Sequence, residues 1–153
     1  MRITVRHRWV TGWQWAFAIV LPVFIVMGRA LLGAELGWIA VIGVFYGVPV
    51  MLALLLPPFL TRFDRQARRA FSVREPYARA CFVEWSGLLL AGLAIPDADD
   101  QGALPSVLSR WFGLSPDVST VVFYLAVMVA VVAWAIALAA AGWGISAAQQ
   151  VRR

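Results

Sequence analysis

Glu84 is the residue with the most to do. It stands in CFVEWSGLLLAG, residues 81–92, and is the one acid well inside a long apolar stretch. Helical rise places it about two turns, roughly 10 Å, from the basic end of that stretch, too deep for a short carboxylate to reach bulk water. A charge at that depth is expensive and must be answered by something. Three answers fit its chemistry. It is a proton or cation site, exchanging a proton or pairing with a positively charged substrate; or it pairs with an arginine of this chain or accepts hydrogen bonds from a neighbouring helix, for packing alone; or it faces a charged residue of another subunit.

Other chemistry is sparse. Cys81 is the single cysteine, so an intrachain disulfide and a thiol pair for redox relay are ruled out. His7 is the single histidine and precedes the first apolar run, which removes internal bis-histidine haem ligation and argues against a multi-histidine metal site. DADDQG, Asp97 to Gly102, has the opening of a calcium loop. Gln101 then stands where an acid or amide is preferred, and Leu108 where the bidentate glutamate belongs, so calcium binding is not expected. With no nucleophile and base at useful spacing and no phosphate loop, the sequence predicts a non-catalytic protein with no metal and no cofactor.

The elements that must hold Glu84 follow from composition. The chain of 153 residues is 62% hydrophobic and 14% charged, far from the soluble norm of about a quarter charged. Its natural solvent is a bilayer. Four runs are long and apolar enough to cross a hydrocarbon core that needs about 20 helical residues: about 10–28, 37–56, 77–95 and 118–143. Lipid offers no partner for a backbone amide, so each must close its own hydrogen bonds as a helix. The third is the weakest, because it carries Glu84 and shortens further if Arg79 lies outside. The expectation is therefore an all-α polytopic membrane protein, a single domain over 1–153, with four transmembrane helices in an antiparallel bundle. The first span is read as retained and not as a cleaved signal, since Leu32 occupies the position before Gly33-Ala34 that should be small.

Charge fixes the orientation. All thirteen basic residues are arginine. Arg2, Arg6 and Arg8 precede the first span; Arg62, Arg65, Arg68, Arg69, Arg74 and Arg79 fill the loop 61–79; Arg152 and Arg153 end the chain. Only Arg29 and Arg110 fall on the other side, beside Glu35, Asp97, Asp99, Asp100 and Asp117. The bias of basic residues to the cytoplasmic face then places both termini and the loop 61–79 in the cytoplasm, with 96–117 as the outer acidic loop of a bacterial inner-membrane protein. The six loop arginines are topogenic, or bind anionic lipid headgroups; nucleic acid is not expected as a partner, because the cluster is tethered at a membrane and has no recognisable binding fold. Trp9, Trp13, Trp15 and Trp143 fall near the inner interface and Trp38 and Trp111 near the outer one, as amphipathic rings should. Trp85 and Trp134 lie deeper and read as packing residues.

Two loop segments read as short amphipathic helices. Leu104, Val107, Leu108, Trp111 and Phe112 recur at helical spacing in the outer loop, with Pro105 at the start and Gly113 at the stop. Residues 62–72 place Phe63, Ala67, Ala70 and Phe71 on one face of a possible inner-surface helix. Small residues four apart, Gly43 with Gly47 and the ladder Ala133, Ala137, Ala141, are candidates for helix packing, and Pro22 and Pro49 for kinks. The leading functional expectation is association: an accessory subunit of a larger membrane complex or a homo-oligomeric scaffold, with the lipid bilayer, other membrane subunits or a second copy as partners. The alternative is a small transporter or channel using Glu84 as a proton or cation site.

Overall fold

The computed structural model describes the backbone of residues 7–150 and the side chains of residues 7–147. Arg2, Arg6, Arg152 and Arg153 lie outside the described residues. The protein is mostly helical. In chain order it forms α1 (Arg8–Val26), a 3-10 turn (Gly28–Leu32), α2 (Trp38–Thr61), α3 (Arg65–Ala70), α4 (Glu75–Ala94), β1 (Asp97–Asp99), β2 (Gly102–Leu104), α5 (Val107–Phe112) and α6 (Pro116–Gln150). Three of these helices, α1, α2 and α6, are long and apolar enough to cross a membrane. The expected third span, α4, is different in kind. It carries Glu75, Arg79 and Glu84, and it packs most extensively on α6 and then on α1.

Small side chains let the helices approach. Ala126, Ala130, Ala133, Ala137 and Ala141 form a buried ladder along α6. Against it α4 sets Ala80 and Gly87, where a Cβ on Gly87 would stand 3.1 Å from both the Ala126 carbonyl oxygen and the Ala130 methyl. Close backbone approach of this kind is how helices gain dispersion energy in lipid, where no hydrophobic drive remains between them. Gly43 serves the α1–α2 contact, since a Cβ there would meet Val26 at 2.6 Å, whereas at Gly47 the same side chain is an ordinary 3.9 Å away.

Several boundaries differ from the sequence expectation. Helix α2 does not stop near residue 56 but continues through Pro57 and Pro58 to Thr61. Proline costs a helix because it leaves the carbonyl four residues back without its amide. Here the carbonyl that Pro57 orphans, that of Ala53, accepts the Trp134 indole Nε1–H at 2.9 Å, so α6 supplies what α2 lacks. The inner helix expected over 62–72 is only Arg65–Ala70: Asp64 caps it, accepting from the amides of Gln66 and Ala67, and Phe71 ends it in the left-handed region at φ 49°. Phe63 and Phe71 flank it, both exposed. In the outer loop the helical pattern begins later than expected. Leu104 belongs to β2, which pairs antiparallel with β1, and α5 starts only after the Ser106 cap. The acidic DADDQG run is the turn of that hairpin, with the Asp99 carboxylate accepting from the amides of Gln101 and Gly102 at 2.8 and 3.0 Å. Such side-chain-to-backbone bonding is what makes aspartate a turn residue.

Candidate functional site

Glu84 lies near the midpoint of α4 and is 4% exposed. Its neighbours one and two turns back, Cys81 and Tyr77, point the same way because residues three to four apart share a helix face. Together they line a small enclosed cavity with Gln14 and Ala18 of α1 and with Leu54, Pro57 and Pro58 of α2. Tyr77, 1% exposed, donates its hydroxyl to Gln14 Oε1 at 2.9 Å, and Gln14 Nε2 donates to the Thr11 carbonyl at 3.2 Å. Phe17 and Trp85 close one side, their ring centroids 4.6 Å apart. Among the described residues, no arginine pairs with Glu84 and no hydrogen bond reaches its carboxylate. The packing explanation that gave it an arginine partner therefore finds none there. Sequence reasoning singled out Glu84 but missed Gln14 and Tyr77; the available signal was a glutamine inside an apolar span.

Charge is instead spent at the two ends of the helices. At one end Arg29, read from sequence as an outer-loop residue, is 1% exposed and forms a buried ion pair with Asp97 across 68 positions of sequence. The Asp97 carboxylate also accepts from the amides of Gly37 at 2.9 Å and Ile39 at 3.1 Å, so it caps the first turn of α2 from a distant segment. Burial pushes the Asp97 carboxyl up, but the amides of Ile39, Ala98 and Gly37 and the Arg29 guanidinium outweigh it and hold the group below its ordinary value. Nearby, Ser119 Oγ donates to the C-terminal carbonyl of α4 at Ala94, 2.9 Å, and meets the Ser106 hydroxyl at 2.6 Å, which ties α4, α5 and α6 together. Arg110 pairs with Glu35 at the surface of the same end.

At the other end lie the six loop arginines, and they divide. Arg65, Arg68 and Arg69 are exposed. Arg79 is 77% exposed and pairs with Glu75 one turn back. Arg62 sits over the Trp15 ring, 4.6 Å from its centroid, a cation–π contact that ties the end of α2 to α1. Arg74 is not available to headgroups at all. It is buried, its Nε donating to Asp64 at 2.7 Å and its Nη2 to Gln66 at 3.2 Å and to the Gly144 carbonyl at 3.5 Å. A Cβ at position 144 would lie 2.6 Å from the Asp64 carboxylate, so the bare glycine makes room for this pair beneath α6.

The kink candidates Pro22 and Pro49 both sit inside continuous helices. The packing candidates Ala133, Ala137 and Ala141 are buried inside this chain, facing α4. An open groove runs along the outer flank of α4 and α6, walled by Ala80, Val83, Val129, Val132, Ala133 and Ile136, with Glu75 and Arg79 at one end. Among the described residues no cluster of metal-ligating side chains occurs. Comparison with protein-family models, with characterised proteins and with solved structures returns no match.

Proposed function

We propose that this chain is a four-span protein of a bacterial inner membrane that acts by association and without catalysis of its own, as an accessory subunit of a larger membrane complex or as a homo-oligomeric scaffold. In this reading α1, α2, α4 and α6 form an antiparallel transmembrane bundle, and both termini face the cytoplasm. The short helices α3 and α5 lie along the inner and outer surfaces with their apolar faces toward the membrane. Support for the orientation is the segregation of charge: the end that gathers Arg62, Arg65, Arg68, Arg69 and Arg79 belongs inside, and the hairpin bearing Asp99 and Asp100 belongs outside. Exposed guanidinium groups at that inner end suit anionic lipid headgroups.

The observation that carries the association reading is the α4–α6 groove. Its walls are almost wholly apolar, and Ala80 of α4 and Ala133 of α6 are among them. That shape suits another transmembrane helix, which gains dispersion contacts along a groove that it does not gain on a convex flank. Gentle detergent extraction followed by mass analysis of the intact assembly tests it. The expected result is a partner or a second copy retained with the wild type and lost when Val129→Trp fills the groove. A wild-type chain that extracts as a monodisperse monomer contradicts the proposal.

A further inference from the structure

Prolines gather around the cavity that Glu84 lines, and their positions select which backbone carbonyls are left over. Pro22 has no N–H to give the carbonyl of Ala18, four residues back, and Pro58 has none to give that of Leu54. Ala18 and Leu54 both line the Glu84 cavity. The third such carbonyl nearby, that of Ala53, is already taken by Trp134. Two helices thus contribute one interrupted turn each to the same small space, and α4 contributes a carboxylate that is nine-tenths buried and has no partner among the described residues.

Oxygen atoms of Glu84, Tyr77 and Gln14 belong to residues lining the cavity, beside the Cys81 thiol and the Trp85 indole. Tyr77 gives its only proton to Gln14 and is hydrogen-bonded with the Cys81 thiol, and Gln14 gives one of its amide protons to Thr11, so the phenol oxygen keeps a lone pair for a further partner. Among the described residues the titratable neighbours of Glu84 are Tyr77 and Cys81, both on α4. The parts of α1 and α2 that wall the cavity bring no charge, and α6 presents alanines to α4. The room is about that of one water-sized species. A site with one negative charge, hard oxygen ligands and freed carbonyls from broken helical turns is the arrangement that holds a coupling ion near a membrane midplane. A single positive charge neutralises it, whereas a divalent ion would leave a net charge buried.

We propose that this cavity binds one small monovalent metal cation of sodium's class, with Glu84 as the charged ligand and the Ala18 and Leu54 carbonyls and the Tyr77 oxygen as neutral ones. The proposal is independent of the association reading, since either holds if the other fails.

Thermal unfolding of the purified protein in detergent micelles tests it, with sodium chloride replacing N-methylglucamine chloride at constant ionic strength, at about pH 8 where an accessible carboxylate is ionised. Sodium is expected to raise the unfolding midpoint with saturation in the wild type and to leave Glu84→Gln unmoved. Pro58→Ala returns an amide to the Leu54 carbonyl without weakening the helix. It is expected to raise the half-saturating sodium concentration about tenfold or more, the scale on which ligand-shell changes act. A rise of equal size in Glu84→Gln would assign the effect to bulk salt and overturn the proposal. A wild type that ignores sodium while its midpoint follows pH through Glu84 would overturn it in favour of a proton.

Discussion

At the scale of the residue, the structure separates buried charges that hold the fold from Glu84, which has no charged partner among the described residues. Arg29 and Asp97 are both buried; the guanidinium donates to Asp97 through Nη2 while its Nε finds no partner among the described residues, and the carboxylate also accepts from the amides at the start of α2. Removing one partner of such a pair leaves an uncompensated charge, which costs more than the pair contributes. Asp97→Ala is therefore expected to destabilise the protein by about 3–5 kcal/mol, measured by reversible unfolding in mixed micelles. The sign of the pH dependence follows from the depressed carboxyl. Because folded Asp97 holds its proton less tightly than unfolded Asp97, its contribution is complete above the ordinary carboxylate value of about 3.9 and is lost as pH falls through the lower folded value. Stability that stayed flat across that acidic window in wild type, and matched Asp97→Asn, would contradict this. Neither charge was legible as buried from the sequence. Each sits in a loop beside other polar residues, and 68 intervening positions hide the contact. Glu84 was legible because its whole neighbourhood is apolar; that it has no arginine partner among the described residues was not, since Arg74 and Arg79 lie within reach in sequence but are engaged by Asp64 and Glu75.

Among the elements, α2 teaches most about what a sequence hides. Two consecutive prolines withdraw two amide donors, yet the helix runs to Thr61, and a tryptophan 81 positions away donates to one of the carbonyls they leave. Trp134→Phe keeps an aromatic side chain, though a smaller one, and removes the donor. The orphaned Ala53 carbonyl is then expected to cost about 1–3 kcal/mol. Pro57→Ala restores an amide to that carbonyl, so in its background Trp134→Phe is expected to cost much less; equal costs in both backgrounds would show that the indole bond does not serve the proline. By contrast the alanine ladder of α6 could be read directly. Ala133, Ala137 and Ala141 repeat at the interval that puts residues on one face, and the structure buries all three against α4. The short loop elements were less legible, because α3, α5 and the β1–β2 hairpin are each set by one side-chain cap or turn, at Asp64, Ser106 and Asp99. A hydrophobic period averages over such single bonds.

Taken whole, the molecule packs α4, which is less apolar than α1, α2 and α6, against α6 and α1, and its ion pairs among the described residues lie at two opposite ends. That division makes sense of α4, which carries acids a lipid-facing helix would not tolerate and whose Glu84 is enclosed by its neighbours. It also sets the reading on which the rest stands, that α4 crosses the bilayer with the others and that the arginine-rich end remains in the cytoplasm. Site-directed thiol labelling in intact cells is the most direct test. Cys81 is buried and is replaced by alanine to give a silent background. A single cysteine then goes to an exposed site at each end, as Asp100→Cys in the hairpin or Arg68→Cys in the basic segment. With a membrane-impermeant maleimide, Asp100→Cys is expected to label in intact cells and Arg68→Cys only after lysis. Labelling of both from outside, or of Arg68→Cys alone, would contradict the four-span arrangement.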